Sequence, residues 1–108
     1  QSLRKNRQFQ EVYKKGVSRA NRYLVMYVLE NHQDENLLGI SVSKKVGNSV
    51  KRNRAKRLMK ESYRAISPSL PSGYDFIIIA RNTICGKKCV EVERSLISAF
   101  KRTGVKMK

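Results

Sequence analysis

Three consecutive isoleucines lie inside Tyr74-Asp-Phe-Ile-Ile-Ile-Ala80, and they narrow the choice of fold more than any other feature. Branched side chains favour a pleated strand, and alternation sends neighbouring residues to opposite faces. A strand that is apolar on both faces must be covered on both. Residues 22–30 repeat the demand: Tyr23, Val25, Tyr27 and Leu29 point one way, Leu24, Met26 and Val28 the other. This second strand is therefore central or carries a functional surface. The polar segment Asn31-His-Gln-Asp-Glu-Asn36 reads as a hairpin loop, with residues 37–43 as the returning strand.

Helices supply the cover. Residues 4–15 place Phe9, Val12 and Tyr13 on one side and stop at Gly16. A second helix is capped by Asn48 or Ser49 and runs to about Ile66, because Pro68 disfavours helix at Ser67. Residues 67–73 form a loop. A third helix, residues 88–102, carries Val92, Leu96, Ala99 and Phe100 on one face and ends near Gly104. With room for a short extra strand near Val17 to Ala20, the order is α-β-β-(β)-α-β-α. The expected architecture is α+β: a two-layer α-β sandwich on a mixed four-stranded sheet, in one domain spanning residues 1–108.

The charge is as unevenly distributed as the apolar residues. Residues 44–64 contain nine Lys and Arg, at 44, 45, 51, 52, 54, 56, 57, 60 and 64, against the single acid Glu61. That surplus of eight is half of the chain's net +16. Residues 1–22 add seven basic groups against Glu11, whereas residues 23–43 are net acidic. Two basic blocks separated in sequence make one basic surface if the fold joins them. Charge of one sign on an ordered element needs a polyanion to offset its self-repulsion. Nucleic acid is the expected partner.

On a helical wheel Ala55, Leu58, Met59, Ser62 and Ile66 form the stripe facing the core, with Asn53, Lys56, Arg57, Lys60 and Arg64 opposite. Arg52 and Arg54 flank that stripe on opposite sides. The bland alternative is a solvated face. Such faces normally mix signs at i,i+4 spacing, and here only Glu61 is available, to pair with Arg57. Arginine's planar fork suits phosphate and base edges, and Asn53 adds a two-sided amide. The loop from Lys44 to Ser49 contributes backbone donors at a helix N-terminus, a second anion-binding device.

Aromatic residues mark a second surface. Phe9 and Tyr13 are i,i+4 neighbours on the first helix, and Tyr23 and Tyr27 share a strand parity. Flanked by Lys and Arg, such rings suit unstacked bases, although aromatics at these spacings also commonly fill a core.

Several classes are set aside. No run of about 18 apolar residues exists, so no membrane span is expected. The basic N-terminus has no apolar segment of signal-peptide type. Cys85 and Cys89 lack further ligands for a metal, with His32 in a distant acidic loop, and are expected as reduced, partly buried thiols of a cytoplasmic protein. The eight acids are scattered at 11, 30, 34, 35, 61, 75, 91 and 93, which argues against a self-sufficient nuclease site.

Lys51-Arg-Asn-Arg-Ala-Lys-Arg57, preceded by Gly39-Ile-Ser-Val-Ser-Lys-Lys-Val-Gly-Asn-Ser49, resembles the arginine-rich motif of the bacterial ribonuclease P protein subunit. The resemblance extends to residues 9–16, 20–27 and 75–81 and covers residues 1 to about 103. It implies a fold shared with a small-subunit ribosomal protein domain, with a left-handed crossover through the basic helix, against the usual rule. It implies a partner, the catalytic RNA, that removes the 5′ leader of precursor tRNA using magnesium held mainly by the RNA, with no catalytic residue in the protein. Lys44, Lys45, Arg52, Asn53, Arg54, Lys56, Arg57, Lys60 and Arg64 would lie at that RNA. Phe9, Tyr13 and Tyr27 would line a cleft for the single-stranded leader. No obligate protein partner is implied. The alternative is another basic RNA-binding protein, such as a ribosomal protein, which would explain charge and fold but not the cleft.

Overall fold

The computed structural model describes residues 2–107. Its elements are α1 (Asn6–Lys15), β1 (Val17–Ala20), β2 (Leu24–Glu30), β3 (Leu37–Val42), α2 (Ser49–Ile66), β4 (Tyr74–Ala80) and α3 (Cys89–Arg102). Short 3-10 turns occupy Lys44–Val46, Ser67–Ser69 and Asn82–Ile84. The optional strand over Val17–Ala20 is present, and the sheet is mixed and four-stranded, in the order β1-β2-β4-β3.

The strand order corrects one expectation. β2 and β3 are not a hairpin pair, because β4 lies between them, antiparallel to β2 and parallel to β3. The isoleucine strand, fully buried at Phe76, Ile77 and Ile78, takes an inner position, since only there are both its faces covered. The loop after β2 is bonded instead to the segment entering β4. Asn31 Nδ2 donates to Asp75 Oδ1 at 2.9 Å, and Asn36 Oδ1 accepts from the Tyr74 amide at 2.9 Å.

Alternation along β2 and β4 divides the core in two. Leu24, Met26, Val28, Phe76, Ile78 and Ala80 pack under α2 and α3, against Met59, Leu96 and Phe100. Ile77 faces the other way and is covered by Val12 of α1 and by Leu3. Of the core-facing stripe the wheel predicts in α2, Ala55, Met59, Ser62 and Ile66 are buried, while Leu58 is only partly buried against the core. Ser62 escapes an unsatisfied hydroxyl by donating to the Leu58 carbonyl at 2.7 Å. Val92, Leu96, Ala99 and Phe100 are the buried residues of α3.

Candidate RNA interface

Asn48 starts the basic helix, its Oδ1 accepting from the Lys51 amide at 3.0 Å. Past that cap, Asn53, Arg54, Lys56, Arg57, Lys60 and Arg64 are exposed, and Arg52 is half-buried. Asn53, Lys56, Arg57, Lys60 and Arg64 line one shallow groove along the outer side, with Glu61 at its edge. Arg52 and Arg54 diverge as their spacing requires. Arg52 lies by Val42 of β3 and Ser49, while Arg54 lies by Ile84 and Cys85. Lys44 and Lys45 are exposed in the 3-10 turn entering the helix.

Among the described residues no carboxylate pairs with these groups. Among the described residues the one ion pair is Lys15 Nζ to Glu11 Oε2 at 3.1 Å, on α1. Glu61 does not pair with Arg57. The self-repulsion of α2 is thus left to solvent or to a polyanion.

The sheet register also brings part of the first basic block, Arg19 and Arg22, to the second, whereas Lys14 and Lys15 enter β1 where Val17 pairs with Val28, away from that end. Ala20 pairs with Val25, and both Leu24 and Val42 pair with Ala80. The β1–β2 turn, Arg81, Lys44, Lys45 and the start of α2 therefore share one end of the sheet. Guanidiniums are fixed there by backbone carbonyls: Arg81 Nη1 donates to Asn21 O at 2.8 Å and Arg102 Nη1 to Ala20 O at 3.0 Å. These two arginines were not singled out by sequence, because only the strand order brings them to the basic end. Asp34, Glu35 and Asp75 lie at the opposite end, where Leu37 pairs with Asp75.

The second face of the sheet carries Phe9, Tyr13 and Tyr27. Tyr13 and Tyr27 meet edge-to-face with ring centroids 5.0 Å apart, and Phe9 lies 6.4 Å from Tyr13. The Phe9 ring rests directly on Gly39: a Cβ there would fall 2.6 Å from Phe9 Cε1. That close approach explains a glycine inside β3. Burial, and secondarily the nearby Tyr27 phenol, raises the Tyr13 pKa above the ordinary 10.0, so the ring stays neutral and able to stack. Beyond α1, Val25, Ile79 and Ser41 lie on this same face and are only partly covered. With the half-buried rings of Phe9, Tyr13 and Tyr27 they form the partly covered floor of this face. Sequence reasoning missed this floor, since Val25 and Ile79 read equally well as core.

Tyr23 does not join this face. Asn21 Oδ1 accepts from the amides of Tyr23 and Leu24, so the strand begins at Leu24 and its alternation does not reach Tyr23. Its ring packs on the helical side, with Lys87 Nζ 5.4 Å from its centroid.

The cysteines are free; Cys89 is half-buried, whereas Cys85 is exposed rather than partly buried as expected. Among the described residues no group of three or more His, Cys, Asp or Glu could hold a metal ion, and no helix is long and apolar enough to cross a membrane.

Comparison with known proteins meets this geometry. The family model described as Ribonuclease P matches residues 1–104. The ribonuclease P protein component of Clostridium acetobutylicum is 50% identical over 105 residues, covering 95% of this chain and 88% of its own. That of Clostridium botulinum is 48% identical over 104 residues, covering 95% and 94%. Among solved structures, the Staphylococcus aureus RNase P protein superimposes with a TM-score of 0.85 at 39% identity, covering 96% of this chain and 95% of that one. The Thermotoga maritima RNase P protein gives 0.84 at 31% identity, covering 94% and 96%. With sequence, strand order and basic helix in agreement over nearly its whole length, the chain belongs to the ribonuclease P protein family.

Proposed function

We propose that this protein is the subunit that assists a catalytic RNA in removing the 5′ leader from precursor tRNA. In this reading α2 holds the catalytic RNA through Arg52, Asn53, Arg54, Lys56, Arg57, Lys60 and Arg64, with Lys44 and Lys45 beside it. The cleft of Phe9, Tyr13 and Tyr27 takes bases of the leader. The observation that carries the reading is the adjacency of the two surfaces. Arg52 lies by Val42 at the end of β3, and Ser41, the preceding residue, is on the cleft side. One protein can thereby touch both RNAs where they meet, and its +16 charge lowers the repulsion between them.

Among the described residues no group of three or more His, Cys, Asp or Glu gathers, and no step is assigned to protein-held metal. Magnesium belongs with RNA phosphates in this account, and the protein reduces how much of it the RNA needs. The test combines the protein, a bacterial ribonuclease P RNA and precursor tRNA, separately and together, across magnesium concentrations. Cleavage is expected from RNA with protein at magnesium levels where RNA alone is inactive, and none from protein alone. Cleavage by protein alone, or no effect of protein on the magnesium requirement, would overturn the proposal.

A further inference from the structure

A second cavity lies on the far side of α2 from the cleft. It measures about 350 Å³ and opens between the first half of α2 and the segment after β4. Its floor is the partly exposed Leu58, with Ala55 and Ile84 almost wholly buried beneath it, and its rim carries Lys51, Arg54 and Lys87 beside Cys85. Among the described residues none of these three cations is paired with a carboxylate.

The rim is held in place. The Lys51 stem crosses Gly47, where an added Cβ would meet Lys51 Cδ at 2.6 Å and where φ is +144°. Lys87 reaches over the Tyr23 ring. Cys85 Sγ donates to the Val46 carbonyl at 3.4 Å, tying the loop to the turn that precedes α2. A cavity of this size lies in the range that takes nucleoside-sized ligands.

We propose that this cavity receives one unstacked nucleotide of the catalytic RNA, its base on Leu58 and its phosphates on Lys51, Arg54 and Lys87. The inference rests on the reading that α2 holds that RNA. A stacked duplex presents phosphate and sugar to a helix face and leaves Leu58 and the aliphatic stems of the rim uncovered. An extruded base satisfies floor and rim together. The thiol of Cys85 places a native reporter at the cavity's edge.

The experiment measures iodoacetamide alkylation of Cys85, read by peptide mass spectrometry on the unaltered protein. The protein is free, assembled with a bacterial ribonuclease P RNA, or mixed with a single-stranded leader oligonucleotide. Assembly is checked by gel mobility, so a failure to bind RNA speaks against the parent reading rather than the cavity. The expected result is at least about tenfold slower alkylation in the assembled complex and no change with the oligonucleotide, whose cleft is on the other face of the sheet. A stacked base corresponds to roughly 5- to 150-fold in affinity, so Cys85→Phe, which plugs the cavity, should weaken assembly within that range at unchanged melting temperature. Free-rate alkylation in the assembled complex would overturn the assignment. So would a folded Cys85→Phe protein that assembles as the parent does, because the cavity would then be covered but not occupied.

Discussion

If Tyr13 stacks on a leader base, removing its ring should separate leader recognition from assembly with the catalytic RNA. Tyr13 is half-buried, touches Tyr27 edge-to-face and lies beside Phe9. Tyr13→Ala forfeits the aromatic pair, about 0.5–1.5 kcal/mol, plus part of the burial of one ring. The buried residues behind it, Leu3, Val12 and Ile77, remain, and the larger core under α2 and α3 is untouched. Against a domain stability of about 5–15 kcal/mol the variant stays folded. Loss of one stacked base costs about 1–3 kcal/mol, which is roughly 5- to 150-fold in affinity.

The assay compares precursor tRNA carrying a leader with mature tRNA, each titrated against protein assembled with catalytic RNA. Tyr13→Ala should lower affinity for the precursor within that range and leave mature tRNA binding and RNA assembly as they were. Tyr13→Phe should bind the precursor as the parent does, since stacking needs the ring and not the hydroxyl. A thermal melt first establishes that the alanine variant folds. Equal losses on both tRNA forms would mean that Tyr13 is only structural. No loss on either would remove it from the interface.

RNA affinity should fall by roughly 0.7–0.9 log units per phosphate contact for each tenfold rise in salt, and Arg57→Ala should lower that slope by about one contact; an unchanged slope would place Arg57 away from phosphate. Burial raises the pKa of Tyr63, packed between Phe76 and Phe100, and of Tyr13, above the ordinary 10.0. The folded state thus holds these protons more tightly, so their contribution is complete below the ordinary phenol value and is lost as pH rises through the raised ones. Melting temperatures across the alkaline range should fall less steeply for Tyr63→Phe than for the parent, and parallel curves would refute the linkage. Gly39→Ala sets a methyl within 2.6 Å of the Phe9 ring and should cost about 1–3 kcal/mol by overpacking. A second change, Phe9→Leu, should restore part of that stability, which denaturant titration of the double mutant would check.

The elements were legible in the sequence where one physical cause acted alone. Pro68 and the Asn48 cap bounded α2, and the branched run Ile77–Ile79 defined β4. The stripe Ala55, Met59, Ser62 and Ile66 needed only the helical repeat. Pairing was not legible, because the six residues from Asn31 to Asn36 suit a hairpin as well as a passage to the far side of β4. What decides is competition for the inner position, and this depends on all the strands at once. Tyr23 misled for a local reason. An Asn21 side-chain turn delays the start of the strand to Leu24, two residues after the expected Arg22. Arg81, Arg102 and the floor of the aromatic face depend on strand order, which periodicity within a single segment does not encode.

Arg52 shows how the two surfaces come to adjoin. Burying Ala55 and Met59 fixes the rotation of α2, and that rotation sends Arg52 toward Val42 at the end of β3. The cation therefore reaches the cleft side as a consequence of core packing. Its Nε is buried without an acceptor among the described residues, a position that costs about 1–3 kcal/mol. A stem of similar length without that donor avoids the cost, and functional residues are where such losses are tolerated. Arg52→Met should therefore raise the melting temperature or leave it unchanged while weakening assembly with the catalytic RNA. Surface cations seldom behave this way, since replacing them ordinarily leaves stability within about 0.5 kcal/mol and the remaining contacts unaltered. Should Arg52→Met lower the melting temperature and keep RNA affinity intact, Arg52 would be a packing residue, and the junction between helix and cleft would lose its electrostatic link.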